Sequence, residues 1–295
     1  MEQQKVSYYN EISMMMFGFG DSHKPNPETV RLVESIVLSQ LRLIVREALK
    51  YSKNDTLKPE ELIFLMRKNK FKMRRFVKYL HNQELKKRIE SNVVDLTNIP
   101  KNSLIEFIER IDETGELTDL SEFDEVKHER QVRADRISRA LDEEKYKKFS
   151  KARCASFNSR QLPQLRNFEK MRSWIDPKKV IITAGACEVL AYYAYETVAQ
   201  ITDYALLVRL DNRRTNDPLS NLCGTYYTGS MFNGSMFNGE HRFSGINPDY
   251  STVYSGQPPI SVNEIREVMR RLTKPEAGRL NFGTSVPPSQ HILAI

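Results

Sequence analysis

The sequence predicts an all-α protein in which one chain carries two helical repeats of similar design. Each repeat has a long apolar helix, then a loop and a short helix, and the long helices are predicted over 26–53 and 183–211. Apolar residues recur at every third or fourth position in both, which is the period of an amphipathic helix. A helix that is apolar on most sides must be enclosed by partners. We therefore expect the two repeats to bury each other.

The first repeat is predicted over 8–91. It begins with a short helix at 8–19, and the glycines at its end, Gly18 and Gly20, are typical of a helix C-terminus. The segment 26–28 reads Asn-Pro-Glu, which supplies a capping side chain, a proline at the first helical position and an acidic group in the first turn. This combination predicts the start of the long helix.

The short helix that closes the first repeat has an unusual first residue. Lys58 stands where a capping Ser or Thr is usual, and the missing cap is expected to cost about 1 kcal/mol. Glu60 and Glu61 should offset part of this cost, because acidic groups are favourable near a helix N-terminus. A further helix with one apolar face is predicted from Phe71 to Ile89.

Residues 92–160 are predicted to form a helical connector, first acidic and then of mixed charge. A weak amphipathic helix is expected over 104–111, and a charge-dense helical stretch over 125–151. Because apolar residues are sparse in the second of these, we interpret the connector as exposed or as lying along a partner.

The second repeat is predicted over 161–275, with a short helix at 168–175 and an extended piece at 179–182. It is interrupted by 212–259, a polar insertion that contains the pentapeptide Gly-Ser-Met-Phe-Asn twice in tandem. Such a composition does not build a core and is typical of disorder. Ser261 and Glu264 form a capping box ahead of the last short helix, and we expect 276–295 to be a loose tail.

Charge is unevenly distributed along the chain, whose net charge is +7. Residues 1–91 carry 18 Lys and Arg against 11 Asp and Glu, whereas residues 92–126 carry 2 against 10. Basic ends around an acidic middle favour contact with an acidic surface such as DNA, or with a protein that itself binds DNA. Charge alone supports only salt-dependent, non-specific binding.

Several classes of protein are disfavoured by the composition. The three cysteines are widely spaced, which argues against a disulfide framework or a zinc site, and the five histidines show no ligand spacing. No apolar segment of a signal peptide follows the first residues. The most membrane-like stretch, 180–208, contains three carboxylates, so we expect a buried helix of an intracellular protein. We expect no membrane partner and no cofactor.

Short helix, loop, long helix, strand-like loop and short helix is the order of the histone fold, and both repeats show it. The chain also resembles the suppressor-of-Ty-three family, a subunit of the SAGA transcriptional co-activator that holds two histone folds in one chain. The resemblance covers nearly all of 8–272 except the insertion. It rests on the stretches 62–68, 111–117, 124–127 and 190–200, together with the basic helix that follows the first of them.

This resemblance implies a non-enzymatic adaptor with an intramolecular pair of histone folds in a nuclear complex. The family contacts TATA-binding protein, helps to deliver it to RNA polymerase II promoters, and docks beside other histone-fold subunits of SAGA. Two alternatives stay open: a histone-like pair that binds duplex DNA directly, and a histone-fold subunit of the general promoter-recognition factor.

A run of basic residues across the start of the fourth helix is the first candidate surface, and we call it the basic face. It could hold DNA phosphates or an acidic protein, with possible weak promoter contact, or it could be only the solvated side of an amphipathic helix. Its seven members are Arg67, Lys68, Lys70, Lys72, Arg74, Arg75 and Lys78.

The second candidate surface is a polar stripe on the second long helix, formed by Glu196, Gln200 and Asp203. Two carboxylates can perform acid–base chemistry, but no nucleophile stands at a matching position, and the chain has no glycine-rich phosphate loop. We therefore expect no catalysis and no small-molecule substrate. The stripe is either the outward face of a paired helix or a contact surface for TATA-binding protein.

Overall fold

The structure is a computed structural model that describes residues 6–52, 55–91, 102–158, 163–176, 180–213, 258–273 and 292–295. It confirms the all-α class. In the described parts of the chain, no helix is both long and apolar enough to cross a bilayer. The helices are α1 (Tyr9–Phe19), α2 (Pro27–Leu49), α3 (Pro59–Met66), α4 (Lys70–Ser91), α5 (Ser103–Ile111), α6 (Glu125–Ala140), α7 (Glu143–Arg153), α8 (Gln164–Ile175), α9 (Ala184–Arg213) and α10 (Val262–Thr273), and the strands are β1 (Thr56–Leu57) and β2 (Ile181–Ile182).

Helix ends follow the local signals of the sequence. Gly20 ends α1 with a φ of 115°, a left-handed conformation that suits a residue without a Cβ atom. At the start of α2, the Asn26 side chain accepts a hydrogen bond of 2.9 Å from the backbone N–H of Glu28. The Lys58 side chain has no acceptor with which to cap α3, but the Glu61 carboxylate accepts from the Lys58 backbone N–H at 2.7 Å. This bond is one of the two that make a capping box, and it satisfies the Lys58 N–H although the side-chain cap is missing.

The long helix α2 is shorter than the sequence predicts. It ends at Leu49, not near residue 53, and Lys50, Tyr51 and Ser52 continue as a turn whose N–H groups bond to carbonyls of the last helical turn. Asp55 then takes a positive φ of 50° before β1. The helix therefore ends about four residues earlier than the sequence predicts.

The chain folds as two compact units that both mix the two repeats. Unit 1 comprises Met1–Gln40, Glu125–Ser159 and Ala194–Leu293, and unit 2 comprises Leu41–Asp124, Arg160–Tyr193 and Ala294–Ile295. Neither unit coincides with one of the predicted domains, because each combines part of α2 with part of α9. The predicted domain boundaries at 8–91, 92–160 and 161–275 stay a prediction.

In unit 1, the connector helices pack on α1. The rings of Phe17 and Phe149 meet edge to face at 5.3 Å between centroids. Gly18 lies so close to α7 that a Cβ atom there would stand 3.0 Å from the carbonyl oxygen of Ala152. The connector helices therefore lie along a partner within the same unit, where Ala134 and Ile137 of α6 are buried.

A loop contact also joins the start of α2 to the approach to α10 in unit 1. The backbone N–H of Ile260 donates to the Asp21 carboxylate at 2.8 Å, and the Thr29 hydroxyl donates to the Ile260 carbonyl oxygen at 2.8 Å. All three residues are buried. The buried N–H and carbonyl groups of Ile260 are thus both hydrogen-bonded.

In unit 2, the loop after α2 pairs with the loop before α9. Strands β1 and β2 are parallel, and Leu57 lies opposite Ile182. Thr183 donates to the Leu57 carbonyl oxygen from both its backbone N–H (3.1 Å) and its hydroxyl (3.0 Å). Nearby, the hydroxyl of the buried Tyr193 donates to the Leu62 carbonyl oxygen at 2.8 Å.

The remaining predictions concern the insertion and the tail. Most of the predicted insertion, 214–257, lies outside the described residues. The capping box before α10 is present, since Ser261 and Glu264 exchange hydrogen bonds of 2.6 and 3.3 Å. The predicted loose tail needs a correction at 292–295, because Leu293 is buried and its N–H donates to the Gln40 side chain at 2.9 Å.

Candidate partner-binding surfaces

The polar stripe of α9 contacts α6 through a cluster of ion pairs in unit 1. Arg130 donates from Nε to Asp203 at 2.7 Å and from Nη1 to Glu196 at 3.2 and 3.5 Å. Arg133 also pairs with Asp203. We call these four side chains the Arg130 cluster. Between 14% and 22% of each side chain is exposed, so the cluster is largely withdrawn from water.

The electrostatics of the Arg130 cluster favour the charged forms of Asp203 and Arg130. Burial acts to raise the pKa of Asp203, but the guanidinium groups of Arg130 and Arg133 outweigh it and hold that pKa below its ordinary value. Burial acts to lower the pKa of Arg130, but Asp203 and Glu196 raise it above its usual range. Arg130 also lies over the Phe19 ring, 5.7 Å from its centroid, where cation–π attraction adds to the ion pairs.

The stripe is therefore not simply the outward face of a paired helix, because two of its members contact α6. Glu196 and Asp203 contact α6, and the Gln200 amide donates to the Tyr204 hydroxyl at 2.9 Å. A role of these three residues in partner binding stays a prediction. Sequence reasoning missed Arg130 and Arg133, which are three residues apart and so lie on one side of α6.

The basic face of α4 is also in contact with acidic groups, which come from the segment 112–124 in unit 2. We call this range the acidic segment. Lys70 pairs with Glu116 and Arg74 pairs with Glu122. Arg74 also donates from Nε to the backbone carbonyl oxygen of Glu116 at 2.7 Å.

A more buried pair continues this contact at the end of the acidic segment. Arg75 and Asp124 approach to 2.7 Å, and only 12% and 14% of their side chains are exposed. At the other end, Asp112 accepts from the backbone N–H groups of Leu117 and Thr118 at 2.9 Å each. These bonds help to hold the pKa of Asp112 below its ordinary value, against the opposing effect of burial. Asp112 thus orders the turn from within, while Glu116, Glu122 and Asp124 pair with α4.

The other basic side chains of this region have varied surroundings. The Arg67 guanidinium lies 3.5 Å from the centre of the Phe64 ring, and Lys72 donates to a backbone oxygen of Ile295 at 3.3 Å. Lys68 is exposed and Lys78 is half-buried. The apolar side of α4 is buried, as an amphipathic helix requires, through Met73, Phe76, Val77 and Leu80.

Neither surface has the ligand set of a metal site. Among the described residues, no group of three or more His, Cys, Asp or Glu side chains is arranged to hold a metal ion. What the two surfaces share is charge arranged on helices, with opposite charge supplied by the connector. Arrangements of this kind suit contact with macromolecules.

Comparison with known proteins defines the class of protein. Residues 6–95 match the family model of the transcription initiation factor IID 18kD subunit, a histone-fold family. Over 84 residues the chain is 36% identical to transcription initiation factor TFIID subunit 13 of Arabidopsis thaliana, which covers 28% of this chain and 67% of that protein. The chain is therefore a helical protein with a histone fold in its first third.

More extended similarity defines the family. The chain is 34% identical to the SAGA complex subunit Spt3 of Drosophila melanogaster, over 98% of this chain and 74% of that protein. It is 26% identical to the SAGA complex subunit Spt3 of Schizosaccharomyces pombe, over 93% of this chain and 92% of that protein. The chain belongs to the Spt3 family.

Proposed function

We propose that this chain is a non-enzymatic subunit of a SAGA-type transcriptional co-activator in the nucleus. The observation that carries the proposal is the extent of the similarity to Spt3 proteins, which spans both repeats. A relative that shared only the first repeat would support a histone fold but not this role. Its partners would be other SAGA subunits, including histone-fold subunits.

We further infer that the two repeats are histone folds paired within one chain. Two loop contacts support this inference. In unit 2 the loop after α2 pairs with the loop before α9, and in unit 1 the loop before α2 contacts the loop before α10. Each long helix thus has its flanking loops joined to those of the other repeat, as a pseudo-twofold pair requires.

The paired folds would present a surface that binds TATA-binding protein and helps to deliver it to RNA polymerase II promoters. Glu196 is the member of the α9 stripe best suited to an exchangeable contact. Its bonds to Arg130 are long, at 3.2 and 3.5 Å, whereas Asp203 is held at 2.7 Å and by a second arginine. A basic side chain of the partner would compete at Glu196 with bonds to Arg130 that are longer than those at Asp203.

Binding of the full chain to purified TATA-binding protein tests this role. We expect Glu196→Lys to weaken binding, with Glu143→Lys, a reversal at an exposed carboxylate of α7, as the matched control. Because Lys at 196 would also repel Arg130, Glu196→Gln should be measured beside it, and the unfolding midpoint of each variant recorded.

The outcomes test the role in TATA-binding protein delivery and the contact at Glu196 separately. Absence of binding by the unaltered chain would contradict the role in TATA-binding protein delivery. Binding that is equal for Glu196→Lys and Glu143→Lys would retain the function and exclude Glu196 from the contact.

A second candidate is a subunit of the general promoter-recognition factor, which the match of residues 6–95 favours. Co-purification from cell extract distinguishes the two. Acetyltransferase and deubiquitinase subunits in the purified complex support the co-activator, whereas promoter-factor subunits support the alternative.

A further inference from the structure

Two segments of opposite charge lie against each other within unit 2. The basic face contributes Lys70 and Arg74, which are four residues apart and so occupy one side of α4. The acidic segment belongs to a part of the chain, residues 92–126, with 10 acidic and 2 basic residues. The contact is therefore between a helix side rich in cations and a turn rich in carboxylates.

The side chains in this contact are exposed enough for other anions to replace the carboxylates of Glu116 and Glu122. Lys70, Glu116 and Glu122 are each about half exposed, with 51%, 49% and 46% of their side chains accessible to water. Ion pairs of such exposure contribute little to stability and weaken as salt is added. Arg74 differs, since only 12% of its side chain is exposed and its Nε is bonded to the Glu116 carbonyl oxygen. Arg74 thus stays in place while the carboxylates can leave.

We propose that the acidic segment is an internal occupant of a phosphate-binding row on α4, and that it competes with duplex DNA for this row. The row consists of Lys70, Arg74 and Lys78. Successive members are one helical step of four residues apart, about 6 Å along the axis. Evenly spaced cations on one side of a helix suit the regular line of charge of a DNA strand. The carboxylates of Glu116 and Glu122 stand where phosphate oxygens would.

Tethering gives the acidic segment its advantage over external anions. A ligand that belongs to the same chain acts at a high effective concentration, so it outcompetes free DNA even when each ion pair is weak. The unaltered chain should accordingly bind duplex DNA weakly. Removal of the two exchangeable carboxylates should make the row available.

The test is fluorescence anisotropy of a short labelled DNA duplex with the full-length chain. The variant is Glu116→Gln with Glu122→Gln, which leaves the buried Arg75–Asp124 pair intact. We expect tighter binding than for the unaltered chain and a steeper dependence on salt. If two additional phosphates are contacted, the gain should shrink by roughly tenfold from about 50 to about 200 mM salt.

The matched control is Asp135→Asn with Glu143→Gln, which changes the net charge by the same amount. Both carboxylates are exposed and pair with a cation four residues away, at Arg139 and Lys147. An equal gain in this control would overturn the proposal, because net charge alone would then explain it. An unchanged affinity of the Glu116/Glu122 variant would overturn it as well.

Two further measurements assign the gain to the row. Lys78→Gln added to the Glu116/Glu122 variant should reverse part of the gain, and no reversal would place the DNA elsewhere. Polyglutamate replaces DNA in a parallel titration. Gain for polyglutamate without gain for DNA would contradict DNA as the ligand and indicate an acidic protein segment. Circular dichroism should show the same helix content in every variant, and a loss of helix in the Glu116/Glu122 variant would assign the segment a structural role.

Discussion

At the scale of single residues, the Arg130 cluster separates a structural carboxylate from an exchangeable one. Asp203 accepts from Arg130 at 2.7 Å and also pairs with Arg133, whereas the bonds from Arg130 to Glu196 are longer, at 3.2 and 3.5 Å. We predict that Asp203→Asn lowers the free energy of unfolding by about 3–5 kcal/mol, because two largely buried guanidinium groups lose the carboxylate that they share, although Arg130 keeps its bonds to Glu196. Glu196→Gln should cost about 1 kcal/mol. Urea unfolding of both variants measures the difference, and equal losses would contradict the ranking.

The lowered pKa of Asp203 should make the stability of the protein depend on pH. The pKa of Asp203 is lower in the folded state than in the unfolded chain, where it is about 3.9. Its contribution to stability is therefore present above about pH 4 and is lost as the pH falls through the lower, folded-state pKa. We predict that Asp203→Asn loses less stability than the unaltered chain between neutral pH and about pH 2. Parallel curves of unfolding free energy against pH would show that Asp203 does not contribute.

Glu267 provides an internal reference for that measurement. Hydrogen bonds from Arg270 and Arg271 lower its pKa to about 2. Both the unaltered chain and the Asp203→Asn variant retain this carboxylate, so both should lose some stability in acid. Only the difference between the two curves reports on Asp203.

Arg209 connects the two sides of the predicted insertion. It donates to both carboxylate oxygens of Glu264, at 2.7 and 2.9 Å, and to the carbonyl oxygens of Pro258 and Pro259. We predict that Arg209→Ala costs about 3–5 kcal/mol, because the Glu264 carboxylate, of whose side chain only 14% is exposed, would lose its cation. Lys147→Ala, at an exposed pair, should change the unfolding free energy by about 0.5 kcal/mol or less in the same denaturation experiment.

At the scale of elements, the contact between α1 and α7 depends on the absence of a side chain. Helix propensity alone predicts that Gly18→Ala stabilises α1 by about 1 kcal/mol. The new Cβ atom would, however, stand 3.0–3.2 Å from backbone atoms of Ala152 and Arg153, which do not give way as a side chain does. We predict a net loss of about 1–3 kcal/mol, measured by thermal unfolding. Any gain in stability would contradict this prediction and show that α7 can shift to accommodate the Cβ atom with little loss of free energy.

The elements themselves were accessible from the sequence because their signals are local. Apolar period, the Asn26 cap, the Gly20 stop and the capping box at Ser261 all act within a few residues, and the helices form where these signals predict them. The sequence predicts the end of α2 about four residues too late, because 50–53 contain neither a glycine nor a proline to mark where the helix stops. Local patterns locate helices better than they locate helix ends.

The candidate surfaces were only partly accessible from the sequence. The acidic and basic residues were found, but not their pairing, since Arg130 and Asp203 are 73 residues apart and Lys70 and Glu116 are 46 apart. Pairing across such distances depends on how elements pack, and no local rule encodes it. The burial of Leu293 could not be predicted either, because it also depends on a distant residue, Gln40, to whose side chain the Leu293 N–H donates.

At the scale of the whole molecule, neither compact unit can be built from a continuous piece of chain. Unit 1 takes α1 and the first part of α2 from the first repeat and the second part of α9 from the second. Unit 2 takes the end of α2, α3 and α4 from the first repeat and the start of α9 from the second. The first repeat alone would therefore expose the side chains of α2 that are fully buried in the intact chain, such as Val33 and Leu41.

We therefore predict that the chain folds only when both parts are present. Fragments 1–124 and 125–295, divided in the loop before α6, should each lack cooperative unfolding when purified alone, since each has lost the partners that cover its long helix. Co-expressed, they should form an equimolar complex with the helix content of the intact chain. Circular dichroism and analytical ultracentrifugation measure these properties. A fragment that unfolds cooperatively as a monomer would contradict the pairing of the two repeats, because its long helix would then be covered without the other.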